Sequence, residues 1–356
     1  MADVKNHLDS FIEESGPAAL VLRDELVSVE GQDGVVFPPT YASGDGFPGG
    51  YNIDGDPQGA NVCLIDSVGS QANRIEPLFA REPYTALVPQ VEIQAGSRTI
   101  RLFDAGHRGG DAIARCSPLD EVLQKAFKAL LAGDAEPLAK IAPTSLVFGV
   151  WDSRDTQAKA PRLVSSTIRA YDVRRLTRSA QYVPATEYVL EGLLDEPKDA
   201  GTKKAYAERG FIHVPASGSH GGVIAKGGIR REAILSLAAL RLLAAGNDVA
   251  KTRELRRYVL GLALTAFTAN VSGYLRQGCN LVLDASKPEP RRIEEVYPSG
   301  QREHFALTHE EVLAYAAAAA KEFGVGEDRK VDFDKERAKR DVAGDEKKAK
   351  NKKAKA

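Results

Sequence analysis

At 356 residues, with 43% hydrophobic and 27% charged side chains, the chain has the composition of an ordinary folded protein, which excludes collagen-like, wholly disordered and disulfide-scaffold classes. Its length allows one large domain or two ordinary ones. The formal net charge of −1 hides a segregation: residues 1–60 carry eleven acidic side chains against only Lys5 and Arg23, so the positive excess lies in the rest of the chain.

In chain order, Ala18 to Glu30 alternates as a strand, and the Gly, Pro and Asp-rich stretch from Phe37 to Gly59 is loop. Asn61 to Ile65 is a short apolar run. It leads into a helix expected over Ser67 to Phe79, capped by Ser67 or Ser70 and bent at Pro77. Leu87–Ile93 and Ser97–Phe103 flank an Ala-Gly turn and predict a hairpin. Ser117 and Pro118 open an amphipathic helix that runs through Leu130 to a stop at Gly133.

The apolar run Ser145 to Trp151 reads as a central strand, with Leu163 to Tyr171 as a second strand beside it. Residues 187–210 are polar and charged, as in an insertion projecting from the core, and Phe211 to Pro215 reads as a short strand. Helices are expected over Ile229–Ala245 and Asp248–Thr268, followed by a strand at Asn280–Asp284 and a last helix at Thr308–Phe323 with a Thr308/Glu311 capping box. Beyond Gly326 the chain becomes charged and lysine-rich, so residues 326–356 are expected to be disordered, leaving 1–325 as the folded part. The mixture predicts an α+β or α/β core.

No run reaches the roughly 18 apolar residues of a membrane span. The acidic N-terminus is no targeting segment, so a cytoplasmic protein with no membrane contact is expected. Cys63, Cys116 and Cys279 are odd in number and far apart, which predicts buried reduced thiols. The six histidines show no metal-ligand spacing, so neither a metal nor a cofactor is expected.

Three stretches carry candidate chemistry. Asp66 to Glu76 (DSVGSQANRIE) places Ser70, Gln71, Asn73 and Arg74 at a helix start, where free N–H groups and the dipole suit a phosphate backbone; the same pattern also describes a well-capped helix. Trp151 to Arg178 interleaves Arg154, Lys159, Arg162, Arg169 and Arg178 with Trp151 and Tyr171, either as a phosphate-and-base surface or as a solvated strand pair. In Ser217 to Ala233, Gly227 and Gly228 precede Arg230 and Arg231 as a glycine turn running into a helix, without the spacing of a P-loop. His107 and Arg108 sit in another glycine-rich loop, where His107, like His220, could serve as a general base.

The segments FPPTYA (Phe37–Ala42), CLIDSVGSQANRIEPLF (Cys63–Phe79), SLVFGVWDSR (Ser145–Arg154) and SAQY (Ser179–Tyr182) resemble the guide-RNA-binding backbone subunit of type I-G (formerly I-U) CRISPR Cascade complexes, in the RAMP superfamily. Gly69 stands where relatives often carry the first of two serines. The resemblance covers most of the chain to about Phe323. It implies an α+β, RRM-like (ferredoxin-like) palm with inserted finger and thumb elements and extra helices, the thumb falling at 187–210.

It also implies a non-catalytic subunit that stacks head to tail along crRNA and presents it for pairing with target DNA. The implied partners are further copies of the chain, the large subunit, a fused end-capping and processing subunit, and a recruited helicase-nuclease. Ser70, Gln71, Asn73, Arg74, Gly227, Gly228 and Arg230 are implied to line the RNA groove. His107, Arg108, Arg154, Lys159, Arg162, Arg169 and Arg178 are added from charge placement alone. Two alternatives stay open: a RAMP endoribonuclease using His107 or His220, and a nucleotide-binding enzyme built on the 217–228 loop.

Overall fold

The structure is a computed structural model that describes residues 2–56, 59–269 and 273–343. In chain order it contains β1 (Ala19–Ser28), β2 (Asn61–Asp66), α1 (Val68–Ile75), β3 (Val91–Ala95), β4 (Arg98–Arg101), α2 (Leu119–Leu131), α3 (Thr144–Phe148), β5 (Val164–Tyr171), β6 (Val173–Tyr182), β7 (Val214–Ala225), β8 (Ile229–Ser236), α4 (Val249–Thr268), β9 (Cys279–Leu283), β10 (Arg291–Val296), α5 (His309–Phe323) and β11 (Arg329–Asp332), joined by shorter pieces.

β1 lies at the centre of an antiparallel sheet, paired with β8 on one side and with both β9 and β10 on the other. β5 pairs with the far edge of β8, and β2 extends the sheet beyond β5. Helical segments lie between β1 and β5, and α4 lies between β8 and β9. The underlying unit is therefore βαββαβ, with its strands in the spatial order fourth, first, third, second. This is the ferredoxin-like arrangement, and the expected RRM-like α+β palm is present.

Alternation builds the sheet. Leu20, Leu22 and Asp24 of β1 point to the covered face, as do Ile229, Arg231, Ala233 and Leu235 of β8. Arg23, Glu25, Arg230 and Glu232 take the other face. α4 fills the space behind the sheet and is buried from Leu255 to Thr268 apart from Arg256. There Gly261 lets α5 approach so closely that an added Cβ would stand 2.8 Å from the Cα of Ala316.

Four expectations need correction. Ile229–Ala245 is not one helix: its first eight residues form β8, because the period-2 burial of IRREAILS finds a partner strand on each side. A short helix, Leu237–Leu240, starts only after Ser236 caps it. Ser145–Trp151 is mostly α3, since an apolar run buried on all sides suits a helix as well as a strand. Gly149, at φ 83°, ends α3, and only Val150–Trp151 is extended, paired with Lys159–Ala160.

The glycine segment 217–228 does not run into a helix but forms most of β7 and a tight turn into β8. Finally, the chain stays ordered past Gly326. β11 runs parallel to β3, and Asp334 N donates to the Cys116 carbonyl at 2.7 Å. Residues 344–356 of the expected tail lie outside the described residues.

β6 and β7 form a two-stranded ribbon with mostly exposed side chains on β6, carrying residues 183–213 and the helix Ala200–Glu208 at its tip. The expected insertion at 187–210 thus sits at the end of a ribbon rising from the β5–β8 edge. Asn61 fixes the ribbon's base: its side chain accepts from Val173 N at 2.8 Å and donates to Val173 O at 3.2 Å.

Candidate nucleic-acid interface

β2 delivers the chain into α1 through Asp66 and Ser67. The Ser67 hydroxyl caps the helix by accepting from Ser70 N at 3.2 Å. Asp66 is fully buried, and its two oxygens collect three donors: Gln71 Nε2 at 2.6 Å, Arg74 Nε at 3.0 Å and Arg276 Nη2 at 3.0 Å. One buried carboxylate therefore holds two partly exposed guanidinium groups, and the Nη1 of Arg276 is buried with no acceptor. Tyr41 lies beside this cluster; burial raises its phenol pKa, and the Arg276 charge acts against that. The arrangement leaves positive charge in excess and N–H groups in want of an acceptor, which suits a phosphate.

The cluster continues under the sheet. The Gln71 carbonyl accepts from Ser166 Oγ at 2.9 Å, Ser166 Oγ accepts from Arg231 Nε at 3.0 Å, and Arg231 pairs with Asp24, which also holds Arg291. Burial lowers the pKa of Arg231, and Asp24 opposes that shift. The relay runs across β2, β5, β8, β1 and β10, so the position of α1 is tied to the centre of the palm.

The expected site residues divide among several places. Ser70, Asn73 and Arg74 are at least partly exposed on α1, whereas Gln71 is buried and bonded to Asp66 and Ser166, so it supports the site rather than facing a ligand. Gly227 and Gly228 make the turn between β7 and β8. A Cβ at Gly227 would meet Asp172 Oδ2 at 2.7 Å, which accounts for that glycine by local packing.

Arg230 lies over the Tyr171 ring at 3.8 Å, and Arg169 donates to Thr167 Oγ1 at 2.8 Å on the same open face. Glu232 lies among them, 3.3 Å from Arg23 and 3.7 Å from Arg169. Arg178 is exposed on the ribbon and Arg154 on the loop after Trp151.

His107, Arg108, Lys159 and Arg162 converge on a separate cleft with Trp151. Arg108 is almost wholly buried there, donating to Glu76 Oε2 at 2.6 Å, so its charge is fixed in the wall. Burial pushes the Glu76 carboxyl pKa up to about 7 against the pull of Arg108. His220 packs edge-on against Tyr51, with ring centroids 4.7 Å apart, and lies on β7 away from the loop that holds His107.

Arg276 and Tyr41 were not singled out as site residues. Tyr41 belongs to the FPPTYA segment, and Arg276 stands in a short hairpin between Gly273 and Gly278, but only the fold brings it within reach of Asp66.

Residues 20–175, which contain β1, β2, α1 and β5, match the family described as CRISPR-associated protein GSU0053 (Cas_GSU0053). Over this segment the chain is similar to that CRISPR-associated family. The match runs from the central strand to the base of the ribbon, stops before β8, α4, β9 and β10, and includes the Asp66–Arg74 pair but not Arg276. A search among curated proteins returns no match. No described helix is long and apolar enough to cross a membrane, and no group of three or more His, Cys, Asp or Glu side chains is placed to hold a metal ion among the described residues.

Proposed function

We propose that this protein is a non-catalytic backbone subunit of a type I-G CRISPR complex, which coats crRNA in head-to-tail copies and presents it for pairing with target DNA. The observation that carries the reading is the pair of guanidinium groups, Arg74 and Arg276, held by buried Asp66 beside the capped start of α1. A phosphate backbone laid there meets oriented cations at no further ordering cost, and such contacts position a nucleic acid without reading its sequence.

The ribbon then serves as the thumb, reaching between bases or toward the next copy. The exposed acidic side chains of the first sixty residues offer a surface for a basic face of that copy, a heterologous contact that propagates as a filament. In this reading the large subunit, the end-capping and processing subunit and the helicase-nuclease are the partners, and cutting is left to them.

The test is to purify the chain with its neighbouring effector proteins and size both the particle and its RNA. RNA of one discrete length in an elongated multi-copy particle is expected. Arg74→Ala combined with Arg276→Ala should weaken binding equally across guide sequences and reduce the salt slope by roughly one per lost contact. A nucleic-acid-free monomer, or a double variant with unchanged affinity at low and high salt, would overturn the reading.

A further inference from the structure

The cleft around Trp151 has a volume of about 770 Å³, and the charged or titratable side chains among its lining residues are His107, Arg108, Lys159 and Arg162, with no carboxylate. Trp151 is the chain's one tryptophan and is 52% exposed, a large apolar ring left facing water. It is also held still. Val150–Trp151 pairs with Lys159–Ala160, and buried Asp152 pins the intervening loop by accepting from Thr156 N at 2.8 Å and Thr156 Oγ1 at 2.6 Å. The Lys159 ammonium lies 4.4 Å from the centre of the Trp151 ring.

Behind the ring, Arg108 donates to Glu76, whereas the Nη1 of Arg162 is buried and has no acceptor. A buried guanidinium N–H with nothing to bond carries a desolvation cost that an incoming anion removes. An indole face, two adjacent cations and an orphan donor together form the recognition set for one nucleotide of a single strand, since stacking on aromatic rings and cation contact to the backbone are how such strands are held.

We propose that this cleft is a second nucleic-acid contact, distinct from the Asp66–Arg74–Arg276 cluster, in which a base of a single strand packs on Trp151 and its phosphate sits on Arg162 and Lys159. The two sites lie at opposite ends of α1. Asp66 precedes the helix and Glu76, its C-cap, backs the cleft, a separation of roughly 15 Å along the axis at 1.5 Å per residue. A strand anchored at one end of α1 does not reach the other within one nucleotide, so the cleft takes either a later stretch of the guide or the DNA that pairs with or is displaced by it.

Because Trp151 is the sole tryptophan, its fluorescence in the full-length protein reports on this cleft alone. The protein is titrated with a short oligo-U and, separately, a short oligo-dT, with anisotropy of the labelled oligonucleotide followed in parallel. Quenching of Trp151 is expected with at least one of them, and the tighter of the two identifies RNA or DNA as the occupant. Arg162→Gln and, at an exposed position, Lys159→Gln should each weaken the quenching midpoint several-fold, up to about tenfold.

Arg74→Ala should weaken the anisotropy-monitored binding and leave the quenching midpoint in place, which separates failure at this cleft from failure of the guide-binding reading. Saturating binding by anisotropy with no change at Trp151, no binding of either oligonucleotide, or quenching untouched by both cleft variants would overturn the proposal.

Discussion

Replacing Asp66 with Asn tests whether the buried carboxylate holds the palm together at α1. The substitution keeps the shape but removes the charge, and it turns one of two acceptor atoms into a donor facing donors. In the native protein those oxygens receive Gln71 Nε2 at 2.6 Å, Arg74 Nε at 3.0 Å and Arg276 Nη2 at 3.0 Å. Hydrogen bonds to charged groups contribute about 1.5–3 kcal/mol each, and breaking a wholly buried pair costs about 3–5 kcal/mol because the partner charge is stranded. Here Arg74 and Arg276 each keep some exposure and regain water, so the expected loss is at the lower end, about 3 kcal/mol. Urea unfolding followed by circular dichroism measures it, with Glu121→Gln as the control: that residue pairs with Lys125 on an open helix face, where solvent screens the pair, and should leave the unfolding midpoint nearly unchanged. A loss for Asp66→Asn no larger than the control's would refute the argument that this cluster is a structural anchor.

The Glu76 carboxyl, raised by burial from 4.5 to about 7, makes stability pH-dependent. The native state holds this proton more tightly than the unfolded chain, so the stabilisation is full below the unfolded value and is lost as pH rises through about 7, by roughly 3 kcal/mol in all. Glu76→Gln should flatten that slope, whatever its offset, in unfolding curves taken across the window. Gly261→Ala places a Cβ 2.8 Å from the Ala316 backbone; forcing α4 and α5 apart should outweigh the better helix propensity of Ala and leave a net loss of about 1 kcal/mol in the thermal unfolding midpoint analysis. Ending the chain at Gly326 removes β11 from β3 and strips Val331 and Phe333 from the main core, so a loss of about 2–4 kcal/mol is expected by urea titration, and none if the segment were merely a charged tail.

Local signals marked the elements whose ends carry their own chemistry. Ser67, the Thr308/Glu311 box and the Gly133 stop all fall where side chains or backbone close a helix within a few residues, and none needs a distant partner. What misled was the apolar run with its partner elsewhere. IRREAILS contains good helix formers, and its period of two becomes decisive only once β1 and β5 lie on either side; SLVFGVW is buried whichever way it turns, so its pattern cannot choose. The segment after Gly326 failed for the same reason from the opposite side: its composition is polar, yet two apolar residues and a vacant edge on β3 suffice to order it.

The site divides in the same way. Ser70, Asn73 and Arg74 were legible because a helix start declares its exposed face within one turn, whereas Gln71, on the same motif, turns inward to Asp66 and Ser166. Charge counting found Arg108 and Arg162 but could not tell that the first is buried against Glu76 and that an Nη1 of the second has no acceptor. Arg276 was invisible because its meaning depends on Asp66, more than two hundred residues earlier. A basic side chain becomes a candidate phosphate ligand when a buried acid orients it and leaves part of it unanswered. That condition belongs to the fold, and it holds for Arg276, which buried Asp66 orients and whose Nη1 has no acceptor, in a chain whose 48 basic residues are matched by 49 acidic ones.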